Sequence, residues 1–399
     1  MKKILLRVYG LLLCTAMCIG AVSCTRDEEV PKMEASELDD FTTYDGNVMT
    51  ATPEGYYVIQ KDFLYYISPD FQSSTIVCSK PDCIHNEQDL QNSYEYTECD
   101  AFYLFAGGID YCDGYLYIQA SPDGRTGAVY RTSLDGSERT LWYENEGENI
   151  INFGIYKGYA YLAQETYTTE GKAHAILRFP VNDPDKEEVL FETEEYQDAS
   201  INRMRFYDGY CYFYLFSPAV REDEGSSVHL KINLEDGRTE QLYETSNCRL
   251  EWDDYGILTE VKEYISYNPM QWTSKYFHVL PDSGEKVQLT EEDFQSIGTN
   301  DMLYNMDDKY IYFGTINMGV DALPEEEQVL TVYDYEGNIK AKIPAGDFGN
   351  YYFVLPGTDE HLFITKMNTD GSDAYFYADK SEFDGGTVEA HEINFAGIR

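Results

Sequence analysis

Basic residues are scarce in this sequence. The 399 residues include 29 lysines and arginines against 72 aspartates and glutamates, which gives a formal net charge of −43. Binding to nucleic acid depends on basic side chains that neutralise phosphates, so this composition excludes nucleic acid as a natural partner. An anionic membrane surface would repel the chain for the same reason. The acids are spread along the chain, and this pattern indicates a soluble, self-repelling surface.

Long apolar runs are lacking after residue 22. The run from Leu11 to Val22 is too short to span a bilayer comfortably, and it follows a positively charged start. Together they predict a signal peptide over residues 1–23. Small residues precede Cys24, and this arrangement resembles the lipobox of bacterial lipoproteins. The resemblance implies cleavage before Cys24 and a lipid on its sulfur; the alternative is an ordinary secretory signal cut near Ala21.

The lipobox resemblance implies a cellular location. We expect a monomer on the extracytoplasmic face of the cell membrane, in contact with the membrane through its lipid anchor only. Residues 24–41 are acidic and poor in aromatics, so they predict a flexible tether. Residues 42–399 show regular repeats without a linker rich in proline, glycine or serine, and we expect them to form one domain.

Familiar catalytic motifs are absent. The sequence has no G-x-S-x-G, no H-E-x-x-H and no P-loop. With 72 acids, no carboxylate pair can be nominated for glycoside cleavage. His174, His229 and His278 fall in predicted third strands. Alignment of the repeats places His174 and His229 at different positions, which favours scattered strand histidines over a ring that lines a channel.

Tyrosine is abundant instead, with 37 copies. DGYLY at Asp113 recurs as KGYAY at Lys157, DGYCY at Asp208 and DKYIY at Asp308, and degraded copies complete the series. A period of roughly 40–50 residues that carries several strands is typical of propeller blades. Cys211 replaces Leu116 in this alignment, which predicts a small buried side chain.

The repeat predicts an all-β fold, a seven-bladed β-propeller with about four antiparallel strands per blade. The second strands should begin near Tyr56, Tyr115, Tyr159, Tyr210, Ile257, Tyr310 and His361. Asp135–Gly136 reads as a type I′ hairpin turn. The last segment, Val388 to Phe395, is expected to pair with an N-terminal strand and so remove the open edges at the seam of the ring.

An insertion at residues 78–101 stretches the first period. Its start reads C-S-K-P-D-C-I-H. With the tyrosine-rich blades and the lipobox, this segment resembles the tyrosine-rich β-propeller lipoproteins of Gram-positive anaerobes, which are similar to the propellers of lipoprotein-receptor-related proteins. The C-x-K-P-x-C-x-H pattern of that family is matched by Cys78, Lys80, Pro81, Cys83 and His85. The resemblance implies no known reaction.

Cys78, Cys83, His85 and Cys99 are predicted to form one site. Three thiolates and one imidazole are a normal tetrahedral zinc set, and such closed sites hold loops that lack a core of their own. The insertion is polar, so a structural zinc ion would order it. A disulfide is the competing hypothesis, since exported proteins meet oxidising conditions. A third hypothesis is that the four residues are unrelated.

Two functions from different classes remain open at this point. The absence of enzyme motifs favours a surface-anchored, non-enzymatic propeller that binds an extracellular glycan or protein partner. The alternative is an extracytoplasmic polysaccharide hydrolase or lyase. Either function could be carried by the loops of a propeller.

Overall fold

The computed structural model describes residues 48–83, 85, 99–121, 127–145, 149–167, 169, 171–194, 199–207, 209–217, 226–246, 249–254, 258–267, 270–279, 286–289, 301–307, 309–315, 328–345, 352–355, 357–367 and 373–395. The predicted signal peptide, the lipidation residue Cys24, the tether and residues 86–98 of the insertion lie outside these ranges.

The described residues form 28 strands in seven four-stranded antiparallel sheets, numbered here in chain order. Sheet 1 contains β1 (Met49–Thr52), β2 (Gly55–Gln60), β3 (Phe63–Ile67) and β4 (Ser74–Ile76). Sheet 2 contains β5 (Gly108–Cys112), β6 (Tyr115–Ala120), β7 (Gly127–Ser133) and β8 (Arg139–Asn145). Sheet 3 contains β9 (Asn149–Tyr156), β10 (Tyr159–Tyr167), β11 (Lys172–Pro180) and β12 (Glu188–Thr193).

The remaining four sheets follow the same plan. Sheet 4 contains β13 (Ser200–Tyr207), β14 (Tyr210–Ser217), β15 (Ser226–Asn233) and β16 (Thr239–Ser246). Sheet 5 contains β17 (Arg249–Asp254), β18 (Leu258–Tyr267), β19 (Met270–Val279) and β20 (Lys286–Leu289). Sheet 6 contains β21 (Asp301–Met306), β22 (Tyr310–Thr315), β23 (Val329–Asp334) and β24 (Ile339–Pro344). Sheet 7 contains β25 (Tyr352–Leu355), β26 (His361–Met367), β27 (Asp373–Asp379) and β28 (His391–Ile393).

The prediction of an all-β propeller with four-stranded blades is confirmed. Helix is nearly absent from the described ranges, where a 3₁₀ turn spans Lys380–Glu382. No helix in these ranges is long and apolar enough to cross a membrane. The second strands β6, β10, β14, β22 and β26 begin at the predicted residues, and β2 begins one residue early. The predicted start at Ile257 lies outside the described residues.

Burial falls from the second strand of a sheet to the fourth. All six residues of β2 are buried, whereas β8 contains only half-buried and exposed residues. A blade is covered on both faces by its neighbours, so its inner strands need apolar side chains on both sides. The core therefore consists of layers between sheets, such as the cluster of Phe206, Phe213 and Tyr161 between sheets 3 and 4.

The turn at Asp135–Gly136 differs from the prediction. A type I′ turn needs positive φ at both central residues, and here only Gly136 has one, at 71°. Asp135 instead accepts a hydrogen bond from the Ser137 backbone at 2.9 Å. A Cβ at Gly136 would come within 2.6 Å of the Val77 carbonyl oxygen, so close approach to sheet 1 also favours glycine.

Among the described strands, the predicted pairing of the C-terminal segment with an N-terminal strand does not occur. β28 pairs with β27 and completes its own sheet. Sheets 7 and 1 meet through side chains instead. Tyr375 of β27 is 1% exposed, and its hydroxyl donates to the Ile59 carbonyl at 3.1 Å. Tyr56 of β2 hydrogen-bonds to His361 Nδ1 at 3.0 Å.

Candidate metal centre

The first half of the insertion leaves sheet 1 directly after β4. The Cys78 amide donates to the Ile76 carbonyl at 3.0 Å, and the Cys83 amide donates to the Lys80 carbonyl at 3.2 Å. The second bond closes a β-turn with Pro81 at its second position, where the fixed φ of proline fits. This local turn brings the Cys78 and Cys83 side chains to the same side.

The second half returns alongside β3. The Leu64 amide donates to the Ala101 carbonyl at 2.8 Å, and the Tyr103 amide donates to the Asp62 carbonyl at 2.7 Å. These bonds fix the backbone immediately after Cys99, whose side chain is buried. Sheet 1 therefore positions both ends of the insertion.

The structure brings the four predicted residues together. One ligand atom from each of Cys78, Cys83, His85 and Cys99 lies within 4.8 Å of the others. The Cys78 and Cys99 sulfurs are 3.8 Å apart. Tetrahedral bonds of about 2.3 Å place two sulfurs about 3.8 Å apart, so this spacing suits zinc. The five described cysteines are free thiols. These four residues could hold a metal ion.

The surroundings of the His85 side chain fit those of a metal ligand. Its Nε2 atom is buried and has no hydrogen-bond partner among the described residues. The ring packs edge-on against Phe63 with centroids 6.0 Å apart. Burial lowers the pKa of His85, and the neutral imidazole that results is the form that binds metals. An orphaned buried nitrogen beside three thiols fits a metal ligand.

Burial also raises the pKa of the Cys83 and Cys99 thiols. A divalent cation would have to displace these protons when it binds. Lys80 lies beside the thiols and forms an ion pair with Asp100 at 3.1 Å. Burial alone would raise the pKa of Asp100, but hydrogen bonds from Ser79 and Lys80 lower it below its ordinary value. A partly exposed ion pair therefore lies next to the cluster.

Arg139 of β8 connects the cluster to sheet 2, and this contact could not be predicted from the sequence. Its guanidinium donates to the Cys99 carbonyl at 3.1 Å and to the Phe102 carbonyl at 2.7 Å. It also lies over the rings of Tyr103 and Tyr130, at 4.2 and 4.5 Å from their centroids. The cluster therefore sits where the outer parts of sheets 1 and 2 meet.

The histidines of the third strands do not form a common site. His174 in β11 and His229 in β15 are both buried. His174 lies opposite Glu165 and His229 opposite Tyr214, which are different positions of their second strands. His278 lies in β19.

A recurring polar position was missed in the sequence. Asp110, Arg205 and Asn305 each stand five residues before a motif tyrosine and are buried in the first strand of their sheets. Asp110 accepts from the Ile155 amide at 2.8 Å, and Asn305 donates to the Val354 carbonyl at 2.7 Å, each in the next sheet. Burial raises the pKa of Asp110 well above its ordinary value, against the opposing effect of that hydrogen bond.

The comparisons with known proteins identify the fold. No protein-family model matches the chain, and no curated protein sequence does, so nothing supports the lipoprotein family named above. Solved structures with β-propellers of the prolyl oligopeptidase type do match. A structure from a study of two prolyl endopeptidases has a TM-score of 0.57 at 9% identity, covering 91% of this chain and 52% of that one. A puromycin hydrolase has a TM-score of 0.53 at 12% identity, covering 90% and 55%.

These matches show a shared fold, and this chain spans about half the length of each of these two structures. They also correct the functional prediction. The two structures are a puromycin hydrolase and a prolyl endopeptidase, and this finding goes against the prediction of a non-enzymatic propeller that binds a glycan or protein and against its polysaccharide hydrolase alternative. Blade repeats specify the architecture, whereas the activity depends on residues outside the repeat.

Proposed function

We propose that this chain takes part in peptide hydrolysis as the propeller part of a peptidase-type architecture. The observation that carries the proposal is the likeness to a prolyl endopeptidase and a puromycin hydrolase over nine tenths of this chain. The sequence lacks a G-x-S-x-G nucleophile motif. The reacting residues would therefore lie outside this sequence or belong to a catalytic arrangement of another type.

Two runs of first strands that contact one another support a role in admitting substrate. The first strands β1, β5, β9 and β13 contact one another in succession, as do β21 and β25. First strands in mutual contact surround the axis of a propeller, where a central channel runs. The net charge of −43 would favour neutral or basic peptides over acidic ones.

Loss of the chain should lower peptide hydrolysis in its native host. Membrane fractions from the parent strain and from a strain without the gene would be incubated with puromycin and fluorogenic proline-containing peptides. We expect slower hydrolysis of at least one substrate in the deletion strain, and recovery when the full chain is restored. Equal hydrolysis of every substrate by both fractions would contradict the proposal.

We further propose that Cys78, Cys83, His85 and Cys99 bind a structural zinc ion. Support comes from the compact ligand set and the orphaned His85 nitrogen. Three thiolates and an imidazole prefer zinc among common divalent cations. The ion would join the strand end after β4 to the backbone beside β3, and through Arg139 it would fix the joint between sheets 1 and 2.

The seven sheets, in our proposal, are seven blades of one closed ring, and residues 42–399 are one propeller domain. Aromatic contacts at the seam support closure, since Phe71 stacks on Tyr377 at 3.8 Å and Tyr56 packs edge-on against Phe363 at 5.1 Å. Sheets 5 and 6 meet through Tyr276 and Phe313 at 4.8 Å. A crystal structure without contact between the first and last blades would overturn this part.

We also propose that Cys24 carries a lipid anchor, that the protein lies on the extracytoplasmic face of the membrane, and that it is a monomer. Support comes from the apolar run and the small residues before Cys24. A Cys24→Ala variant should lose the lipid attachment point, so it should appear in the soluble fraction or stay unprocessed. Cell fractionation and intact mass measure this, with Cys112→Ser as the matched control. A variant that fractionates and is processed like the wild type would exclude the lipid anchor.

A further inference from the structure

A cavity of about 310 Å³ opens between sheets 2 and 3. Its lining residues are distant in the sequence from the Cys/His cluster. Ala173, Ala175 and Leu177 of β11 form its floor. The two alanine side chains are short, and they leave space that larger residues would fill. Val189 of β12 is 53% exposed at the edge, so the cavity is open to solvent. Its size is at the lower end of the range of ligand pockets, which suits a small molecule.

Two carboxylates carry the negative charge of the polar lining, which also includes His174. Glu187 and Glu192 contribute carboxylates, and Asn145, Gln164 and Thr166 contribute neutral polar groups. No lysine or arginine is among the described lining residues. An anionic ligand would be repelled here, whereas a cation would meet complementary charge and charge-assisted hydrogen bonds.

Two polar side chains of the cavity wall, Glu187 and Gln164, are held in place by Tyr143 before any ligand binds. Tyr143 of β8 donates its hydroxyl to Glu187 Oε2 at 3.1 Å and accepts from Gln164 Nε2 at 3.1 Å. Its ring stacks on Phe179 at 5.0 Å. Burial and the charge of Glu187 raise the pKa of Tyr143 to about 12, so it stays a neutral donor. Groups held before binding cost less to order when a ligand arrives.

We propose that this cavity binds a small aliphatic cation with an ammonium or guanidinium head. The head would lie against Glu187 and Glu192, and the methylene chain would pack on Ala173, Ala175 and Leu177. The apolar floor distinguishes this site from a bare metal-ion site, because a metal ion needs oxygen ligands on all sides. The proposal is independent of peptide hydrolysis and of zinc.

Agmatine is the probe, titrated into the purified full chain by calorimetry. We expect saturable binding to the wild type and about tenfold weaker binding to Glu192→Gln, as for a lost charge-assisted hydrogen bond. Ala175→Leu should fill the cavity and abolish binding. Glu192 is exposed, so its substitution should leave the fold intact. Glu194→Gln is the matched control, an exposed acid two residues away that does not line the cavity.

Three results would overturn the proposal. The first is no saturable binding of agmatine to the wild type. The second is equal weakening by Glu192→Gln and Glu194→Gln, since that would reflect the acidic surface in general. The third is equally tight binding of pentanol, an uncharged molecule with an aliphatic chain, because the carboxylates would then contribute nothing.

Discussion

The purified protein should contain one zinc ion per chain, and a Cys83→Ser variant should contain none. Serine is a poor zinc ligand, and the three remaining groups would not close a tetrahedral site. Zinc at about a thousand times its dissociation constant stabilises a folded protein by about 4 kcal/mol. The variant and the metal-free wild type should therefore unfold at lower denaturant concentration. Elemental analysis and denaturant unfolding measure the two effects.

Cys112→Ser separates loss of metal from loss of a buried thiol. Cys112 is 3% exposed and stands outside the cluster, so its variant should keep the zinc ion even if its stability falls. Added zinc should restore the stability of the metal-free wild type but not that of Cys83→Ser. Mass spectrometry could instead find Cys78 joined to Cys83 or Cys99 in the native protein. That result would contradict the zinc site and show that a disulfide holds the same loop.

The blades could be predicted because their signal is local. Asp113–Gly114 has positive φ at both residues, 48° and 84°, and Lys157–Gly158 repeats this turn with 50° and 76°. Each pair starts a second strand rich in tyrosine, so turn and strand can be read from a few adjacent residues. Cys211, predicted to be a small buried side chain, is fully buried.

The contacts between blades could not be predicted, because they join residues far apart in the sequence. Tyr375 reaches Ile59 and Tyr56 reaches His361 across most of the chain. A tyrosine at an alternating position looks the same whether its hydroxyl meets a neighbouring blade or solvent. The incorrect pairing of the last strand has the same origin, since an edge strand does not reveal its partner.

The Cys/His cluster could be predicted from the sequence only in part. Cys78, Cys83 and His85 are close in sequence, so their convergence follows from one turn. Cys99 approaches only because Ala101 and Tyr103 pair with the backbone beside β3. The cavity between sheets 2 and 3 had no sequence signal, since two alanines in a strand are ordinary.

Replacing Asp307 with alanine should cost about 3–5 kcal/mol of folding free energy, the usual effect of removing one partner of a buried ion pair. Asp307 Oδ2 lies 2.7 Å from Lys380 Nζ, and these side chains are 10% and 7% exposed. The same carboxylate accepts from the Tyr312 hydroxyl, and its other oxygen accepts from the Lys309 and Tyr310 amides at 2.9 and 2.7 Å. The substitution would leave a buried ammonium group without its counter-charge.

A second ion pair between the same two sheets gives a matched control. Lys309 and Asp359 also bridge sheets 6 and 7, but their side chains are 50% and 57% exposed. Asp359→Ala should cost at most about 1 kcal/mol, because exposed pairs gain little over their hydration. Denaturant unfolding of both variants measures the difference. The double variant Asp307→Ala, Lys380→Met should recover part of the loss by removing the stranded charge. Equal costs for Asp307→Ala and Asp359→Ala would show that burial of the Asp307–Lys380 pair does not determine its contribution.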